Sequence, residues 1–151
     1  MKKTKGMNLP DRDHVARHVP WKKLRRDGND KILGFLPQAF ELREGEQSLS
    51  VNWLEYYEGN REDRLQEAVN ALRSRREINK KDAFGIGNVG KIKSVCLDSG
   101  TNVRIVYSPT KSILDHCDIR NIPRDDLAFL AAVAEDAFSE LVLNADIPSK
   151  L

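Results

Sequence analysis

The chain has 151 residues, 40% of them hydrophobic and 32% charged, with a formal net charge of +2. That length suits one domain with a real apolar core, and the composition excludes disorder. Two cysteines are too few for a disulfide scaffold.

The charge is unevenly spread. Residues 1–26 hold nine Lys/Arg against two Asp, a net of +7, which leaves −5 on the rest. Residues 115–140 hold seven acids and two arginines and account for it. Such polarity fits either an anionic partner for the basic end or an internal match between the two ends.

Taken in order, residues 1–10 read as a flexible basic tail, and 11–151 as one domain. The opening Met-Lys-Lys-Thr-Lys-Gly has no apolar run behind its charges, so no signal peptide is expected. The apolar stretch Leu127 to Leu143 is broken by Glu135, Asp136 and Glu140, so no membrane segment is expected either. The expected compartment is the cytoplasm.

Asp11 to Val19, between Pro10 and Pro20, fits two helical turns with acids at the positive end. Asp27-Gly28-Asn29-Asp30 is a turn signal. Leu49, Val51 and Trp53 alternate with polar residues. With Phe40, Leu42 and the Glu44-Gly45-Glu46 turn they predict a β-hairpin over 39–54.

Leu65, Ala68, Val69 and Leu72 form one apolar stripe of a helix over 62–77. A second helix is expected from Asn88 or Val89 to Asp98, ended by Gly100 in a left-handed cap. Val103, Ile105 and Tyr107 read as a strand. A last helix opens at Pro123 and buries Leu127, Leu130, Ala134, Ala137, Phe138 and Leu141. The expected fold class is α+β, a small single domain with a short mixed or antiparallel sheet packed by three helices.

Residues 85–91, Gly-Ile-Gly-Asn-Val-Gly-Lys, match Gly-x-Gly-x-x-Gly and Gly-x-x-x-x-Gly-Lys by spelling. Ile92 replaces the Ser or Thr that a P-loop uses for magnesium, and no strong strand or second acidic strand supports either motif. A helix-hairpin-helix turn fits loosely. A tight turn with glycines at positive φ is the plain alternative. A helix start at Asn88 would still offer amides to an anion. Arg73, Arg75, Arg76, Lys80, Lys81, Lys91 and Lys93 against Glu77 and Asp82 give the surroundings a net of +5.

His14 and His18 would share a helix face at i, i+4 and, with His116 or Cys117, hold zinc. The spacing lacks the usual zinc signature, so no metal is assigned. His14 and His116 are instead the candidate catalytic acid and base, with Arg17, Lys91 or Lys93 holding a phosphate. Cys96 and Cys117 read as core. Tyr56 or Tyr57 could stack on a base; packing is the plainer role.

The strings His14-Val-Ala-Arg-His18-Val-Pro20, Leu49-Ser-Val-Asn-Trp-Leu-Glu55, Asn88-Val-Gly90 and His116 followed by Ile119 resemble those of a group of small bacterial proteins to which no activity is assigned. The resemblance covers about residues 13–143. It implies no catalytic role but points to His14, Arg17, Ser50, Asn52, Glu55, Asn88 and His116.

Three functions follow as expectations. The first is a binding module for nucleic acid or a nucleotide-like anion, using Arg17, Ser50, Asn52, Glu55, Arg73, Arg76, Asn88, Gly90 and Lys91. The second is an accessory protein of a bacterial defence or toxin-related operon, meeting a protein partner through the acidic 115–140 surface. The third is a metal-independent phosphodiesterase-like enzyme. No cofactor is expected.

Overall fold

A computed structural model describes residues 2–149. Met1, Lys150 and Leu151, at the ends of the expected tail and domain, lie outside the described residues. The dominant element is a six-stranded antiparallel sheet. Its strands are β1 (His14–Val19), β4 (Ser48–Trp53), β5 (Ala83–Asn88), β6 (Arg104–Tyr107), β7 (His116–Arg120) and β8 (Glu140–Leu143), in the order β6-β7-β4-β1-β5-β8. A two-stranded ribbon, β2 (Leu24–Arg26) with β3 (Ile32–Phe35), stands apart. The helices are α1 (Arg61–Arg73), α2 (Val89–Asp98) and the short α3 (Leu127–Ala132).

The expected fold class is therefore corrected: the architecture is sheet-dominated, not three helices packed over a short sheet. Three misread segments account for the difference. The segment read as helical turns over 11–19 is the central strand β1. Val15 and Val19 stand four apart, which fits a helix face, but they also stand on one face of a strand. Both are fully buried, with Pro20 closing the strand in extended geometry. The hairpin over 39–54 forms only its second arm. Pro37 starts a 3₁₀ turn through Phe40 that buries Ala39 and Phe40, and β4 pairs with β1 and β7 instead. The last helix is cut short. Asp126 caps α3 through the Phe129 amide, the helix widens into a π turn over Val133–Ala137, and Leu141 belongs to β8.

The expected α1 and α2 form with slightly different ends. Asn60 and Asp63 make a reciprocal capping box at α1. Gly100 (φ +94) follows α2 in the left-handed conformation. Residues 6–9 lie along the outer edge of β6. The Gly6 amide donates to the Tyr107 carbonyl and the Leu9 amide to the Ile105 carbonyl, with Leu9 itself buried.

Register sorts the side chains. Cross-strand partners share a face. One face carries Val15, Val19, Val51, Trp53, Cys117 and Ile119, covered by α2, α3 and the π turn. On the other face, Ala16, Phe84 and Ile86 are covered by Leu65, Ala68, Val69 and Leu72 of α1. That helix covers only the β1-β5-β8 half. On the β4-β7 half the same face presents Ser50, Asn52, His116 and Asp118.

Candidate functional site

The cleft begins where the sheet opens. β1 and β4 pair only at Val15↔Trp53 and Ala16↔Asn52. Beyond Asn52 the strands separate, leaving strand carbonyls that need donors. Arg17 supplies one to Ser50 of β4 and another to Ala39 of the neighbouring 3₁₀ turn. Its Nε donates to the Ala39 carbonyl (2.8 Å) and its Nη1 to the Ser50 carbonyl (2.8 Å). Arg17 starts from the apolar face and His18 from the opposite one, yet both line the same cavity.

This cavity, about 350 Å³, is lined by Arg17, His18, Lys23, Arg43 and Arg76, with Glu46, Ser50, Asn52 and His116. Four cations thus face one carboxylate. The Arg43 guanidinium reaches Glu46 only at 3.9 Å, while the Arg43 amide donates to the same carboxylate at 2.7 Å. Burial pushes the Arg17 guanidinium below its ordinary range; Glu46 opposes that, and Arg43 and Arg76 add to it. Lys23 is lowered by burial and then by Arg17 and Arg43. These cations repel one another in a partly desolvated space, a configuration that an anion would relieve.

The polar wall is fixed from behind. The His116 Nδ1 faces the Ser108 carbonyl at 2.8 Å, and the Ser108 amide donates back to the His116 carbonyl at 2.9 Å. His116 Nε2 lies 3.0 Å from Ser50 Oγ. Asn52 donates to Asp115 Oδ1 (2.9 Å), whose second oxygen accepts from the Tyr57 hydroxyl (3.0 Å). Burial raises the Asp115 carboxyl, with the Asn52 and Tyr57 hydrogen bonds opposing the shift. His18 Nε2 meets the buried Asp82 at 2.9 Å, and Asp82 also accepts the Trp21 and Asn79 amides.

The expected site residues divide among different places. Arg17, Ser50, Asn52, Arg76 and His116 converge on the cleft. His14 and Glu55 do not. They line a separate cavity with Arg12, Glu58 and Arg64, where Glu55 accepts from the His14 amide (2.7 Å) and meets His14 Nδ1 (2.8 Å). The expected acid and base thus line two different cavities, His116 the cleft and His14 this one. Arg73 is spent on structure, donating to Asn144, Ile147 and Pro148 and tying down the chain after β8.

The glycine-rich run is corrected as well. Gly85 and Gly87 lie inside β5, and none of Gly85, Gly87 and Gly90 has a positive φ. A Cβ on Gly87 would sit 2.8 Å from the Ala137 carbonyl oxygen, so this glycine lets the π turn press onto the sheet. The start of α2 offers no anion cradle. Val89 N–H donates to Asp13 O, Gly90 N–H to Asp11 O and Lys91 N–H to Asn88 Oδ1. Asn88 is thus a helix cap that also donates to the Asp11 and Asp13 carbonyls. Lys93 pairs with Asp11 at 2.7 Å, and Lys91 is exposed away from the cleft.

His14 and His18 are on a strand, not a helix, and each faces its own carboxylate. Among the described residues, no group of three or more His, Cys, Asp or Glu is gathered to hold a metal. Both cysteines are buried, and Cys117 points away from its neighbour His116. The 115–140 acids do not form one surface: Asp115 is buried, Asp118 and Glu140 are half-buried, and Asp125, Asp126, Glu135 and Asp136 are exposed. Among the described residues no helix is long and apolar enough to cross a membrane.

Lys23, Arg43 and Glu46 join the site without having been expected there. Their only signal in the sequence is charge beside two turn-forming segments. A larger groove, about 520 Å³, between β3 and β8 is lined by apolar residues such as Leu33, Phe35, Phe138 and Leu141 together with Arg25, Glu135, Ser139 and Asp146. Its one cation, Arg25, faces two carboxylates, Glu135 and Asp146, so it does not repeat the excess of positive charge in the cleft. No family model, no curated protein and no solved structure matches this chain.

Proposed function

We propose that this protein binds a phosphate-bearing ligand, a nucleotide or a segment of nucleic acid, in the cleft between β1 and β4. The supporting observation is the convergence of Arg17, Lys23, Arg43 and Arg76 on one cavity with a single carboxylate, Glu46. Guanidinium groups match phosphate geometry by presenting paired N–H donors. The two basic stretches of the chain contribute together here, Arg17 and Lys23 from one and Arg76 from the other.

The volume favours a small ligand or one end of a longer one, since sites for small molecules span roughly 300–1,000 Å³. Trp21 sits nearby with the Arg26 guanidinium 4.2 Å and the Lys81 ammonium 5.1 Å from its ring centre. Arg26 is also paired with Asp30 at 3.3 Å, so Lys81 is the cation here that a longer polyanion would meet.

Calorimetric titration with inorganic pyrophosphate and with a short oligothymidylate tests this reading. Binding should weaken with salt. The double variant Arg43→Ser/Arg76→Ser, with both residues exposed, should keep its unfolding midpoint and lose at least about tenfold in affinity. Absence of binding by the wild-type protein, or equal binding by the variant, would remove the proposal.

A further inference from the structure

We infer that Ser50 and His116 form a nucleophile–base pair, which makes the cleft a site of phosphoryl transfer from phosphate esters. This rests on the anion-binding reading above and adds a reaction to it.

The hydrogen bonds fix the protonation pattern. The Ser108 carbonyl can only accept, so the nitrogen 2.8 Å from it, His116 Nδ1, carries the proton. In the neutral ring, Nε2 is then unprotonated and accepts from the Ser50 hydroxyl at 3.0 Å. A hydroxyl aimed at a free imidazole nitrogen, whose other nitrogen is held by an orienting acceptor, is the arrangement that activates serine. The return bond from the Ser108 amide to the His116 carbonyl holds the two main chains together beneath the ring. The Asp118 carboxylate, 3.8 Å from Nε2, lies beyond hydrogen-bond reach and leaves Ser50 as the group that Nε2 meets.

The pair also has access. Ser50 and His116 are half-buried and line the cationic cavity, not the core. Arg17 pins the main chain of Ser50 through its carbonyl, which keeps the hydroxyl in place. The surrounding cations would stabilise charge on the phosphoryl oxygens in the transition state.

The chemistry balances as two displacements. Ser50 Oγ bonds to phosphorus as the bond from phosphorus to the ester oxygen breaks. The serine proton passes to His116 Nε2 and on to the departing alkoxide, giving phosphoserine and an alcohol. Water then attacks phosphorus, gives a proton to Nε2, and Ser50 leaves with that proton. The products are the alcohol and inorganic phosphate, and the serine is regenerated.

The test uses p-nitrophenyl phosphate as substrate, with pyrophosphate binding measured in parallel. Ser50→Ala and His116→Asn should each lower turnover at least about 100-fold. The asparagine side chain of His116→Asn can still donate an N–H toward the Ser108 carbonyl, so the fold is kept, and both variants should retain wild-type unfolding midpoints. An added alcohol acceptor should make nitrophenolate release outpace inorganic phosphate release, the mark of a covalent intermediate. Intact pyrophosphate binding with no turnover, turnover unchanged in Ser50→Ala, or a one-to-one ratio with acceptor present would each overturn the inference. Loss of binding itself would instead strike the reading beneath it.

Discussion

Arg17 and Ser50 join two strands that have already parted: the guanidinium donates to the Ser50 carbonyl at 2.8 Å across the opening between β1 and β4. The same side chain also holds Ala39 of the 3₁₀ turn. One residue thus closes the sheet and charges the cleft. Either role alone would explain an arginine; together they place its charge where a ligand would meet it.

Replacing Arg17 should separate these roles. Arg17→Met leaves two carbonyls without their donor and should destabilise the fold by about 3 kcal/mol. Arg17→Lys keeps the charge but can offer only a point donor, so it should recover less than half of that loss. Urea unfolding midpoints at pH 7 check both values. Equal stability of all three proteins would mean that water satisfies these carbonyls as well as Arg17 does.

His18 predicts a pH dependence. Burial lowers its pKa from 6.5, and the hydrogen bond to Asp82 only partly opposes that. The folded state therefore binds fewer protons at this site than the unfolded chain. Its contribution is complete above about pH 6.5 and is lost as pH falls from there through the lower folded value. Stability should decline on acidification from pH 7 to 5. His18→Gln, which keeps an N–H for Asp82, should flatten that slope. An unchanged slope in the variant would assign the decline to other groups.

Gly87 tests the corrected reading of the glycine run. Gly87→Ala drives a methyl group against the Ala137 carbonyl and Ile92 and should cost about 2 kcal/mol. Lys91→Ala, in the same run, should leave both stability and pyrophosphate affinity unchanged. A Lys91→Ala variant that lost affinity would restore the phosphate-loop interpretation.

Part of this architecture is legible in the residue order. The stripe Leu65, Ala68, Val69, Leu72 specifies α1 because only a helix places those positions together, and Gly100 marks the end of α2. β1 is not legible, since Val15 and Val19 satisfy helical and strand periods alike. β5 is hidden by its own glycines: Gly85 and Gly87 read as punctuation, whereas the sheet uses them for close approach of Phe35 and the π turn. The site is half visible. Arg17, Arg76 and His116 stand out by residue type and Ser50 and Asn52 only by the resemblance of their string, but nothing local in the chain says that β1 and β4 diverge. His14 pairs with His116 by residue type alone, and the fold puts Glu55 beside it instead.

The three histidines allow the most direct measurement. His18 and His116 line the cleft, and His14 lies in the other cavity. Proton NMR of the imidazole rings, followed while pyrophosphate is added, reports all three at once. The His18 and His116 resonances should shift together and saturate, with His14 stationary. Movement of His14 alone, or of none of the three, would contradict an anion seated between β1 and β4.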